Sequence, residues 1–216
     1  MPAIASVSPE TKPAERRFTP AVHRARVEQR ADGQAVLAGY AAVFYDPADP
    51  GTQYELWTGF VERIAPGAFD RAIRERQDVR GLFNHDSDGL LGRLPAGTLR
   101  LAVNAVGLLY EIDLPDTQTG RDVATLVARG DVTGASFSFM PVVSQYLEEP
   151  DLTIRTLLDV DLYDVGPVTY PAYEATTAGL RSADGLAGAR ADYDAWRRRR
   201  DAQAVLVRLR CLEIEN

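Results

Sequence analysis

Residues 134–139 read "GASFSF", two serines alternating with two phenylalanines behind a glycine. Alternation at period two is the mark of a strand, whose successive side chains point to opposite faces. Phe137 and Phe139 then share one face, while Ser136 and Ser138 share the other with Gly134 and Met140. The phenylalanine face reads as core. The serine face carries little bulk, as it must where another strand or a substrate approaches the backbone.

On the N-terminal side, "TGRDVATLVARGD" has helical spacing. Thr119 is placed to cap it, Val123, Leu126 and Val127 form its apolar stripe, and Gly130 ends it. On the C-terminal side the strand continues into "MPVVSQYLE", and "EPD" turns it back as "LTIRTLLDVDLYDV". Earlier come short strand-like runs, "VHRARVEQ", "QAVLAGYAAVF", "YELWTGFVERIA", "VRGLFNH" and "LLGRLPAGTLRLAVNAVGLLYEIDLP", separated by turn signals such as "RADG". "PGAFDRAIRERQ" interrupts them as a helix begun by Pro66, with Ala68, Phe69, Ala72 and Ile73 at helical spacing. Many short strands with few helices predict an α+β protein built on a closed or nearly closed antiparallel sheet. Residues 1–20 lack periodicity and read as a disordered tail, 21–175 as the folded domain, and 176–216 as a linker and basic C-terminal helix.

Composition narrows the function classes. The 216 residues are 45% hydrophobic and 25% charged, an ordinary soluble globular balance. A single cysteine, Cys211, excludes an internal disulfide framework and points to a reducing compartment. Two histidines and one cysteine argue against a zinc site. No run reaches membrane-spanning length, and the N-terminal stretch lacks the apolar core of a secretory signal. The net charge of −7 hides a middle segment, 31–180, with ten basic and twenty-two acidic residues between basic ends. That middle repels nucleic acid. The ends read as solvated tails or as contacts for an acidic partner.

His23 lies among arginines and reads as a surface residue. His85 closes "VRGLFNH"; it is either a hydrogen-bonded strand-end histidine or a general base working near neutral pH. In "LLDVDLYDV" strict alternation separates Asp159 and Asp161 from Leu158, Val160 and Leu162, and puts Asp164 with those three apolar residues. An inward carboxylate is costly unless paired or hydrogen-bonded. Asp164 therefore either caps the turn at "DVGP" or orients a buried cationic or histidine partner. Ser136 does not fit the nucleophile elbow, which needs Gly-x-Ser-x-Gly between strand and helix. His85, Ser136 and Asp164 are nonetheless the residue types a nucleophile–base–acid relay requires.

Six separated motifs, "GYAAVF", "VERIAPGAFDRAI", "GLFNHD" with "LGR", "GTLRL", "LVARGDVTGASFSF" and "DVGPVTYPAY", occur in a recognisable order over roughly residues 35–175. In this the chain closely resembles the prohead serine proteases of tailed phages, which mature capsids and share the herpesvirus assemblin fold. The resemblance implies a mainly antiparallel closed β-barrel with a few surrounding helices. It implies that Ser136 is the nucleophile, His85 the general base, and Asp164 the third member, where the family more often has glutamate. Ser138 stands where the family often has glycine; Arg93 of "LGR" and Gly134 lie near the site by motif order, without an assigned role. The implied activity is a serine endopeptidase that cleaves scaffold segments, the major capsid protein and itself. It would self-associate inside the assembling procapsid, in the cytoplasm of a bacterial host. No cofactor, metal, nucleic acid or membrane is implied. The alternative is a catalytically inactive scaffold-binding assembly module that keeps the fold and works through its charged terminal helix.

Overall fold

In the computed structural model, residues 14–19, 25–170 and 183–214 are described. The first half of the chain supplies β1 (Glu15–Phe18), β2 (Arg26–Gln29), β3 (Ala35–Val43), β4 (Tyr54–Trp57), β5 (Phe60–Ile64), helix α1 (Asp70–Arg74) and β6 (Arg80–Leu82). The second half adds β7 (Leu90–Arg93), β8 (Leu99–Val103), β9 (Gly107–Asp113), helix α2 (Gln118–Arg129), the long hairpin β10 (Gly134–Glu149) and β11 (Leu152–Val168), and helix α3 (Ala183–Ile214).

The strands make two sheets rather than a closed barrel. One has seven strands in the order β1-β10-β11-β5-β4, with β6 also beside β11 and β7 beside β6; the other is the antiparallel set β2-β3-β9-β8. β11 explains why closure fails. Its start, Thr153–Leu157, pairs in parallel with Phe60–Ile64 of β5, and its end, Asp164–Val165, pairs in parallel with Arg80–Gly81 of β6. A strand whose flank is shared between two parallel neighbours forks the sheet, and parallel neighbours cannot be joined by a tight hairpin; α1 links β5 to β6 along that flank, and the chain reaches β11 only after β7–β10. The closed-barrel expectation is corrected on this point; the pairings among the described strands are mainly antiparallel, with β11 parallel to β5 and β6.

The phenylalanine face of the opening motif is core. Phe137 and Phe139 are fully buried with ring centroids 4.9 Å apart, and Phe69 meets Phe137 edge-on at 5.6 Å. Leu37, Tyr110 and Ile112 of the four-stranded sheet close over the same cluster. Two helix starts differ from expectation. Pro66 lies in a turn ahead of α1. Thr117, not Thr119, caps α2, because Thr117 is extended and its hydroxyl accepts the Gly120 amide at 3.2 Å. Gly130 ends α2 with φ of 83°, a conformation that favours glycine.

Both ends of the chain carry more structure than their composition suggests. β1 falls inside the stretch read as tail. α3 begins at Ala183, within the 176–216 stretch read as linker and helix; residues 171–182 lie outside the described residues. α3 packs back on the hairpin and β5: Tyr193 meets Phe60 edge-on at 5.2 Å, Trp196 lies 4.9 Å from Tyr146, and Ala189 is fully buried. Leu206 is 61% exposed and takes no part. No helix among the described residues is long and apolar enough to cross a membrane.

Candidate active site

Strand register assembles the site. Ser136 pairs with Gly166 of β11 on one side and Phe18 of β1 on the other, and Ser138 pairs with Asp164. Directly paired residues point the same way, so Ser136, Ser138 and Asp164 share the face opposite the phenylalanines. This corrects the alternation argument. Between Phe139↔Leu162 and Ser138↔Asp164 the register shifts by one residue, leaving Tyr163 unpaired and 42% exposed. The bulge moves Asp164 off the apolar face of Leu162, and Val165, paired with Phe137, resumes that face. Asp164 is buried, but on the serine side.

His85 arrives on the turn that follows β6. That turn comes close because Gly166 has no side chain: a Cβ there would lie 2.0 Å from the Leu82 carbonyl oxygen. Asn84 and His85 both adopt left-handed backbone, with φ of 56° and 58°. Such residues persist where surrounding contacts hold them. Here the Asn84 amide donates to the Pro167 carbonyl (3.0 Å), its side-chain Nδ2 donates to Thr169 Oγ1 (3.1 Å), and its Oδ1 accepts the Thr169 amide (2.8 Å). Asp86 then caps the short helical turn Ser87–Gly89. Asn84 thus clasps the histidine turn to the end of β11. Sequence reasoning passed over it; the signal was an asparagine, tolerant of left-handed backbone, directly before the histidine.

Three side chains predicted from sequence meet there. His85 Nε2 lies 2.6 Å from Ser136 Oγ, and His85 Nδ1 lies 2.5 Å from Asp164 Oδ1. With Nδ1 carrying the proton it donates to the carboxylate, leaving Nε2 to accept the serine hydrogen. A second acceptor competes for that hydrogen: the Arg17 carbonyl of β1, 2.8 Å from Ser136 Oγ. Ser136 has no exposed surface. β1 therefore covers Ser136 completely.

Beneath β1, on the opposite face, lies a charge cluster that the sequence did not disclose. Arg17 reaches Glu62 through Nε (2.5 Å) and Nη2 (3.0 Å), and Glu15 through Nη2 (2.5 Å). Arg155 binds the same two glutamates at 2.9–3.0 Å, and Asp192 of α3 at 2.9 Å. Burial alone would pull the Arg17 guanidinium down, but Glu62 and then Glu15 outweigh it and hold Arg17 above its ordinary value.

The other candidates sit elsewhere. Arg93 makes a two-pronged pair with Asp78 at 2.6 and 2.7 Å, outside the Ser136–His85–Asp164 contacts. Asp159 and Asp161 bind Arg71 of α1 at 2.8 and 2.7 Å, and those hydrogen bonds, Asp159 first, hold Arg71 above its ordinary range. His23 lies outside the described residues. Among the described residues no group of histidine, cysteine and acid side chains could hold a metal ion.

No curated protein matches the chain. Among solved structures, the bacteriophage T4 capsid assembly protease gp21 is similar, with a TM-score of 0.44 and 9% identity over 73% of this chain and 96% of that one. The profile of the Caudovirus prohead serine proteases matches residues 22–187, more than half of the sequence. The chain belongs to the Caudovirus prohead serine protease family and is a capsid maturation protease.

Proposed function

We propose that the chain is a serine endopeptidase that cleaves scaffold segments and the major capsid protein during procapsid maturation, and that trims its own ends. The observation that carries this reading is the continuous contact Ser136 Oγ–His85 Nε2 with His85 Nδ1–Asp164 Oδ1, held on three adjacent elements. In the mechanism, His85 takes the Ser136 proton as Oγ adds to the scissile carbonyl carbon. It later returns that proton to the leaving amine, and water releases the acyl group by the same route. Asp164 keeps the imidazole in the tautomer that leaves Nε2 free and stabilises the imidazolium. The place of action is the interior of the procapsid in a bacterial host, where high local concentration favours self-association and self-cleavage.

The second reading, a scaffold-binding module without catalysis, draws on one observation, the complete burial of Ser136 under β1. Incubating full-length wild type and Ser136→Ala with purified scaffold and shell protein, followed by intact-mass measurement, separates the two. Defined fragments from wild type alone support the protease; fragments from neither chain, with scaffold retained in complex, support the binding module.

A further inference from the structure

The position of β1 describes more than a closed door. A protease that accepts a peptide by strand addition reads backbone along a sheet edge and side chains in pockets at alternate positions. β1 meets each part of that description. It is the outermost strand of the seven-stranded sheet and runs antiparallel along β10 from Glu15↔Phe139 to Phe18↔Ser136. The Thr19 amide extends the pairing to the Ala135 carbonyl at 2.8 Å. The Arg17 carbonyl lies against the nucleophile candidate, 2.8 Å from Oγ. At alternate positions Glu15 and Arg17 drop into the buried cluster, while Arg16 between them is exposed.

The floor of that cluster belongs to other elements: Glu62 of β5, Arg155 of β11 and Asp192 of α3. Without β1 its members among the described residues are two acids and one arginine. A guanidinium at the Arg17 position offsets the acid excess through a two-pronged bond to Glu62, and a carboxylate at the Glu15 position bridges that guanidinium and Arg155. Buried charges of this kind discriminate strongly, since a neutral side chain at the Arg17 position would leave Glu62 and Asp192 sharing Arg155.

We infer that the β10 edge beside Ser136 is the substrate-strand site, and that it selects an extended peptide with a basic residue at the reacting carbonyl and an acidic residue two positions before it. Glu62 reads the base, Arg155 reads the acid, and residues 15–18 are the chain's own occupant. The inference rests on the protease reading above and names its specificity. It differs from a merely structural ion cluster in one respect: the selectivity must appear toward peptides added from outside.

The test uses the full chain with Glu15→Gln and Arg17→Gln, which weakens the resident strand, and two blocked octapeptides, one containing Glu-Arg-Arg-Phe and the other Gln-Arg-Gln-Phe. The charged peptide is cleaved after its second arginine with kcat/KM at least about tenfold higher, and adding Glu62→Gln removes most of that preference. Equal kcat/KM for the two peptides overturns the inference, as does a preference untouched by Glu62→Gln. The peptide comparison stands even if the Glu62 variant fails to fold. Adding Ser136→Ala to the Glu15/Arg17 variant gives an independent arm, with peptide binding read by fluorescence anisotropy. A Kd advantage of about tenfold for the charged peptide supports the site, and equal or absent binding overturns it. Selective binding without any turnover by the serine-bearing chain overturns the protease reading alone.

Discussion

β11 carries charge in two opposite ways along one strand. Its first half places Arg155, wholly buried, among Glu15, Glu62 and Asp192 beside parallel β5. Its second half places Asp164 against His85 beside parallel β6. A bulge marks each half. At Leu158 the register slips between Val143↔Asp159 and Ser144↔Leu157, turning Leu158 out to 38% exposure; at Tyr163 it slips again and turns Asp164 to the serine face. Between the slips, Asp159 and Asp161 face solvent and pair with Arg71. Burial of a charge on this strand thus tells little about its task until the bulges are placed. The first half holds its charges in a buried ion cluster, the second in a contact with His85 and, through it, Ser136.

The sharpest way to break that division is to remove its reactive members. Ser136→Ala and His85→Ala each lower turnover by roughly 10⁴-fold or more, because the members of a relay act as one unit. Peptide hydrolysis and intact mass read this; a silent Ser136→Ala combined with a dead Ser138→Ala would move the nucleophile by two residues. Asp164→Asn comes next, with a loss of roughly 10²–10⁴-fold and an unchanged melting curve, through the wrong imidazole tautomer. Loss of stability without a specific loss of turnover would transfer Asp164 to the packing half.

Arg155→Met has its effect on the fold. Removing one partner from a buried ion group leaves Glu15 and Glu62 sharing Arg17 alone and costs about 3–5 kcal/mol, measurable as a lower denaturant midpoint. A change below about 1 kcal/mol would show that water reaches the cluster. The smallest effects belong to Asp159→Asn and Asp161→Asn. Their partly exposed pairs with Arg71 are worth under about 1 kcal/mol each, so stability and turnover both stay near wild type. A loss at either that matched Asp164→Asn would erase the distinction between the strand's segments.

What could be read from sequence follows the range of the interactions. The split of "GASFSF" into a core face and a small face needed only period two, and Phe137 and Phe139 occupy the core. Gly130 was legible because a helix end leaves a local mark, whereas Thr117 and Thr119 both suit a cap and only the backbone chooses between them. Asp164 attracted notice as an acid among apolar residues, but the bulge at Tyr163 has no signature in a pattern of alternation, so the face assigned to it was the wrong one. Arg155 in "TIRTLL" and Glu62 in "FVERIA" look like solvated charges on half-buried strands. Their burial is fixed by β1 and α3, from the two ends of the chain. The fork in the sheet was equally hidden, because nothing local in β11 announces that β5 and β6 will share its flank.

One consequence of β1 reaches beyond chemistry. A strand at the rim of a sheet offers a row of open amides and carbonyls to any extended chain that drifts past, including a neighbour's. β1 is the outermost strand over Ser136–Phe139, and only four residues long, so little template is left showing. Displacing it would uncover the backbone amides and carbonyls of β10 on the strand that holds the nucleophile candidate. Access to Ser136 and resistance to clumping are therefore governed by the same four residues, and a lasting gain in one is a loss in the other.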